Sequence, residues 1–316
     1  MSKVIWMFSG QGSQYFGMGR DLYQSDPIFR GMMDFCDVHV QGLIGVSMID
    51  IIHPKQQQDR SLPFDNLSHS HPALFCIQFS LAQTLLRKGL KPDLLLGYSL
   101  GEWVALTVSG ALPFATTLEI LIQQAALLEN HTPQGAMLAV MSSPEIFTHK
   151  AAMFQGTTIG AYNFETHFVI TGTRAAIERA QTQLRMSDIS SHLLPVNTAF
   201  HSPCMDVIEA IYKDQTRNLI LEPLTVPLVS LSQTVILKTL PTDFLWHVLR
   251  QPVRFQETIS SIEKGDHFQY LDMGPSGTLA TLLKYTLKPD SKSSIHPIMR
   301  PYQPTMTNLE QLPSAL

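Results

Sequence analysis

A chain of 316 residues with 44% hydrophobic content is long for one core and short for three, so two unequal units, or one domain carrying an insertion, are expected. Charged residues make up only 15%, the formal net charge is −4 and no lysine- or arginine-rich run occurs, which excludes a nucleic-acid groove or an anionic membrane surface as partner. Cys36, Cys76 and Cys204 are far apart and odd in number, against a disulfide framework or a metal site, and no stretch has the pattern of a signal peptide or the ~18 apolar residues of a membrane span; a cytoplasmic protein is expected.

Val4–Phe8 reads as a buried strand that empties into the polar, glycine-rich Ser9-Gly10-Gln11-Gly12-Ser13-Gln14. Glycine there permits a turn whose backbone amides converge on one point. The segment lacks the lysine and spacing of a phosphate loop. It makes sense as an oxyanion-forming loop if it lies near a nucleophile, and is otherwise an ordinary strand-to-helix turn. Leu74, Ile77, Leu81 and Leu85 then recur at helical spacing, with Pro72 near the start and Gly89 past the end.

Lys91-Pro92-Asp93 turns the chain into Leu94-Leu95-Leu96, an apolar strand that breaks at Gly97-Tyr98-Ser99-Leu100-Gly101-Glu102 and resumes with helical spacing. In that context Gly97-x-Ser99-x-Gly101 fits a nucleophile elbow, with the glycines leaving room for a corner that lifts Ser99 Oγ out of the backbone. The helix that follows aims free backbone N–H groups, that of Leu100 among them, at the same spot. The competing reading is a chance match in a loop. From Thr116 to Asn130 another helix carries Leu118, Leu121, Ile122 and Ala125 on one side, and Gln124 falls beside Leu121 and Leu128, able to point inward.

Between Met137 and Val196 the pattern changes to strand 137–141, helix 144–154, strand 157–162, strand 168–171, helix 174–186 and strand 192–196. That β-α-β-β-α-β order is the ferredoxin-like arrangement, of a size suited to an inserted subdomain over 131–197 within a larger unit of 1–130 and 198–316. His201, in Ala199-Phe200-His201-Ser202-Pro203, sits where the chain re-enters that unit, which prefers it among twelve histidines as the base for Ser99. No acid stands out to orient it, and a backbone carbonyl can fix the tautomer as well. A last strand is expected at Gln269–Met273, ending in Gly274-Pro275, with the tail beyond Pro297 a surface wrap or partly disordered.

Phe8-Ser9-Gly10-Gln11-Gly12-Ser13-Gln14, Gly97-Tyr98-Ser99-Leu100-Gly101-Glu102, Ala199-Phe200-His201-Ser202-Pro203, Gln251-Pro252-Val253-Arg254-Phe255 and Met273-Gly274-Pro275 occur in the order seen in the malonyl-CoA:acyl carrier protein transacylase family. The set resembles most closely the free-standing, trans-acting acyltransferase and acyl hydrolase branch of polyketide synthases. The resemblance implies an α/β fold: an α/β-hydrolase-like large subdomain with an inserted ferredoxin-like small one. It implies Ser99 as nucleophile, His201 as base oriented by a carbonyl within 248–251, and the backbone amides of Gln11 and Leu100 as oxyanion hole. The partner implied is an acyl carrier protein, with the acyl group on its phosphopantetheine or on coenzyme A, no other cofactor, no metal, and a monomeric enzyme.

Three positions depart from the family's pattern. Where members that handle malonyl groups carry an arginine twenty-five residues beyond the nucleophile, this chain has Gln124, and no Arg or Lys occurs between Lys91 and Lys150. Tyr98 replaces the usual histidine before the serine, and His71 a usual glutamine. Gln124, Tyr98 and Phe200 are the residues expected to set acyl selectivity, and malonyl is expected to be a poor substrate. Two family activities are weighed: an editing hydrolase that releases acyl groups to water, the favoured reading, and a trans-acting acyltransferase that moves an acyl group, uncharged in the first place and malonyl in the second, between coenzyme A or carrier proteins. A non-catalytic docking module is the third, opposed by the intact Ser99 and His201.

Overall fold

The computed structural model describes residues 2–54, 64–301, 303 and 305–310. Its strands are β1 (Lys3–Phe8), β2 (Leu94–Gly97), β3 (Gly135–Val140), β4 (Thr157–Phe164), β5 (His167–Thr173), β6 (Ser191–Leu193), β7 (Leu228–Ser230), β8 (Val235–Leu237), β9 (Val253–Arg254), β10 (Phe268–Asp272) and β11 (Ser294–Pro297). They form two sheets. The larger runs β11-β10-β1-β2-β7-β8 and is parallel except for the β7–β8 hairpin at one edge. Parallel strands covered by helices on both faces read as unbroken apolar runs, and Val4, Ile5, Trp6, Met7 and Phe8 are accordingly all buried.

The smaller sheet runs β6-β3-β5-β4-β9. Its first four strands are antiparallel neighbours in the order expected of a β-α-β-β-α-β unit. Helix Arg174–Met186 covers it, capped by the Thr173 side chain. Ala176, Ile177, Ala180 and Leu184 form its buried stripe, and burying side chains the size of Ile177 and Leu184 contributes about 1.5–3 kcal/mol each.

Several elements differ from the sequence-based expectation. The helix expected over 144–154 is a short α-helix, Ile146–His149, followed by a 3₁₀ turn, Ala151–Phe154; the break falls at Lys150, whose backbone leaves the helical region. The strand expected over 192–196 stops at Leu193 because Pro195 has no N–H to offer the ladder. The helix expected from Leu74 begins at Leu67, capped by Asn66, so that Pro72 lies inside it. The smaller sheet also takes a fifth strand from outside 131–197: Val253 and Arg254 pair in parallel with Ala161 and Tyr162.

The strand expected as the last, β10, is followed by β11. The tail is not a plain surface wrap: Ile298 and Met299 are buried, the Ile298 N–H donates to the Asp272 carbonyl at 3.0 Å, and helix Thr305–Glu310 begins with Thr305 Oγ1 bonded to Asp21 at 3.1 Å. Pro304 lies outside the described residues. Among the described residues all three cysteines are free, no group of side chains is placed to hold a metal, and no helix is long and apolar enough to cross a membrane.

Candidate active site

Two glycines make the corner between β2 and helix Gly101–Val108. A Cβ on Gly97 would lie 2.3 Å from the Glu102 backbone, and one on Gly101 would lie 2.0 Å from the Phe8 carbonyl oxygen. The tight corner holds Ser99 at φ 55°, in the left-handed region that L residues rarely adopt, a conformation that costs about 1–3 kcal/mol and is kept only when the surroundings impose it. Gly101→Ala is therefore expected to destabilise the fold by more than about 4 kcal/mol. Denaturant unfolding with a midpoint close to that of the wild type would contradict this.

The corner lifts Ser99 Oγ to within 2.8 Å of His201 Nε2, 102 positions further along the sequence. His201 is itself fixed on three sides. Its N–H donates to the Leu249 carbonyl at 3.1 Å, the neighbouring Ser202 Oγ donates to the Ala199 carbonyl at 2.6 Å, and its Nδ1 lies 2.8 Å from the Gln251 carbonyl oxygen. A carbonyl can only accept, so Nδ1 carries the proton and Nε2 presents its lone pair to the Ser99 hydroxyl.

Pro252 explains the position of that carbonyl. A residue before proline is pushed to extended backbone, and Gln251 is extended (φ −81°, ψ 150°); Val253 and Arg254 then anchor the segment on β4. The orienting group is thus one of the four carbonyls anticipated over 248–251. Burial pushes the His201 imidazole down to about 4, against a smaller upward pull from its bond to Gln251. Glu102, the acid of the elbow motif, is also buried, which pushes its carboxyl well above the usual range against a smaller downward pull from a backbone bond to Leu231.

Gln11, His71, Ser99, Leu100, Gln124 and Phe200 share one narrow cleft, whose water-accessible volume is about 20 Å³, room for about one water molecule. Among the described residues, no acceptor is bonded to the backbone N–H of Gln11 or of Leu100. The Gln11 loop is held from several sides: Gln78 accepts from the Ser9 N–H at 2.7 Å and donates to the Ser9 carbonyl at 3.0 Å, and Gln11 Nε2 donates to Ser70 Oγ at 2.8 Å.

Gln124 is buried on helix Phe114–His131 and accepts from the Tyr212 hydroxyl at 3.3 Å; that hydroxyl also lies 3.2 Å from the Leu245 carbonyl. Sequence reasoning missed Tyr212, since a tyrosine on a short helix 88 residues away carries no signal of its own. Trp103, four residues after Ser99 on the helix of the elbow, also lines the cleft and was not singled out. Tyr98 is not among the residues lining this cleft. Its hydroxyl donates to Asn163 Oδ1 at 2.9 Å and its ring centroid lies 6.2 Å from that of Phe255, so it ties the elbow to β4.

An acyl transferase domain model matches residues 5–315. The chain belongs to the acyl transferase domain family. It is 34% identical, over 97% of its length and 94% of the relative's, to the polyketide biosynthesis acyltransferase homolog PksD of Bacillus subtilis (strain 168). Among solved structures it is similar to the acyltransferase domain from the second module of the salinomycin polyketide synthase, with 26% identity, a TM-score of 0.85 and coverage of 98% of this chain and 72% of that one. It is also similar to the MCAT of Streptococcus pneumoniae, with 26% identity, a TM-score of 0.79 and coverage of 97% and 99%. The family and the α/β fold are those the five ordered motifs implied, and the chain is an acyltransferase of the polyketide synthase type.

Proposed function

We propose that this acyltransferase accepts neutral acyl groups from thioesters of acyl carrier protein or coenzyme A onto Ser99 and releases them to water. In the first step Ser99 Oγ attacks the thioester carbonyl carbon while its proton moves to His201 Nε2. An oxyanion forms against the Gln11 and Leu100 amides, the C–S bond breaks, and the proton passes to the departing sulfur as thiol. In the second step His201 takes a proton from water, the new oxygen bonds to the acyl carbon, the bond to Oγ breaks and the proton returns to Ser99. Thioester and water thus become carboxylic acid and thiol.

The observation that carries the reading is the Ser99–His201–Gln251 relay opening onto a cleft whose polar walls are neutral. A malonyl carboxylate buried beside Gln124 lacks the bidentate cation that would hold it, a loss of about 2–5 kcal/mol, or on the order of thirtyfold or more in preference. A deacylating enzyme gains nothing from holding one acyl group tightly, which suits the unclamped site to hydrolysis.

Gln124→Arg is expected to raise malonyl loading relative to acetyl by at least about tenfold, the worth of one charge-assisted pair, measured as Ser99 ester by intact mass. An unchanged ratio in a folded variant would remove Gln124 from selectivity. The choice of acceptor is tested by competition: acyl carrier protein is supplied with excess unloaded carrier protein or coenzyme A, and free acid is quantified against transferred thioester. Mostly free acid is expected; mostly transferred thioester would make the chain a transferase of neutral acyl groups.

A further inference from the structure

His71 lines the Ser99 cleft at 1% exposure, and neither Nδ1 nor Nε2 has a hydrogen-bond partner among the described residues. Its ring centroid lies 6.1 Å from that of Phe200, the residue before the base. Burial pushes the imidazole down to about 3, so it is neutral and offers one N–H and one lone pair. Gln11 Oε1 is likewise buried without a partner, and Gln124 Nε2 has none among the described residues. Gln78, equally buried, uses both ends of its amide, accepting from the Ser9 N–H and donating to the Ser9 and Leu74 carbonyls; single buried atoms are also unpaired at Trp6, Glu102 and Thr171, whereas His71, Gln11 and Gln124 line one cleft together.

Buried polar groups are normally paired, and a cluster left open at a reactive serine points to a ligand that completes it. The open groups include donors, on His71 and Gln124, and acceptors, on His71 and Gln11, and none is charged. A hydroxyl both donates and accepts, and so can engage the two kinds at once. A carboxylate only accepts and would meet Gln11 Oε1 without a cation, whereas a saturated chain would expel water and leave every one of these groups unpaired.

We propose that His71 is a specificity-determining residue that hydrogen-bonds a hydroxyl on the acyl chain, so that hydroxyacyl groups are preferred to saturated ones of the same length. This rests on Ser99 being the acyl acceptor.

The test compares 3-hydroxybutyryl- and butyryl-pantetheine, which share a four-carbon chain, as substrates of the wild type, His71→Phe and His71→Gln. Ester on Ser99 is read by mass and turnover as kcat/KM. The wild type is expected to prefer the hydroxyacyl thioester by about tenfold or more, the scale of one buried hydrogen bond. His71→Phe is expected to abolish that preference, bringing the ratio of kcat/KM for the two thioesters to about one, and His71→Gln, which keeps a donor and an acceptor, to retain it. Equal rates in the wild type, or equal losses on both substrates in a folded His71→Phe, would overturn the proposal. If His71→Phe fails to fold by circular dichroism, the wild-type ratio and His71→Gln decide. Turnover of both thioesters that survives Ser99→Ala would instead overturn Ser99 as acceptor, and this proposal with it.

Discussion

Ser99→Ala is expected to abolish acyl-enzyme formation, leaving a folded protein that gains no acyl mass from any thioester. The corner is made by Gly97 and Gly101, not by the serine side chain, so the variant keeps the strand, turn and helix. What it loses is the one hydroxyl placed 2.8 Å from the His201 lone pair. No other hydroxyl or thiol is hydrogen-bonded to His201 Nε2 among the described residues, so no substitute nucleophile takes over. A Ser99→Ala variant that still acquired one acyl group with wild-type kinetics would contradict the assignment.

His201→Ala is expected to slow acylation by about a hundredfold to ten-thousandfold, the usual range for loss of a general base. The residual rate would come from the oxyanion-stabilising amides and from binding. The pH profile adds a test that does not depend on a mutant. Only the neutral imidazole accepts the serine proton, and burial places its protonation near 4. The acidic limb of kcat/KM for acylation is therefore expected near pH 4, with the rate level from pH 7 down to about pH 5, since kcat/KM follows the free enzyme's base. A limb near 6.5 would describe a solvated histidine and contradict the closed site.

The parts of the fold that could be read from sequence were those whose local pattern and tertiary environment agree. The apolar runs of β1 and β2 lie in the buried interior of a parallel sheet, and helix Arg174–Met186 carries both a capping threonine and one apolar stripe. What escaped was short or held together from afar. β7 has three residues and β9 two, too few for any periodicity, and each exists because a neighbouring strand pairs with it. Pro72 was a misleading start signal for its helix because the cap, Asn66, lies six residues earlier.

The same contrast divides the site. Ser99 was legible because glycine spacing and a strand-to-helix context are local. His201 was legible from its place at the return from the inserted unit, and its orienting carbonyl could be bounded to four residues, but choosing Gln251 required the Pro252 geometry and the pairing of β9. Tyr98 stood out in the sequence as a departure from the usual histidine before the serine, and its bond to Asn163, 65 positions away, could be seen only in the folded chain. His71 appeared in the sequence as a departure from a pattern. Its two unpartnered nitrogens became visible only when the chain folded around them.

The central claim, that Ser99 carries a neutral acyl group as an ester, is tested most directly by incubating the protein with acetyl- and malonyl-loaded acyl carrier protein, quenching in acid, and sequencing the modified peptide by mass spectrometry. The expected result is an acetyl ester on the peptide containing Ser99, with little or no malonyl ester under the same conditions. Acyl mass on another residue, or malonyl loaded as readily as acetyl, would contradict it.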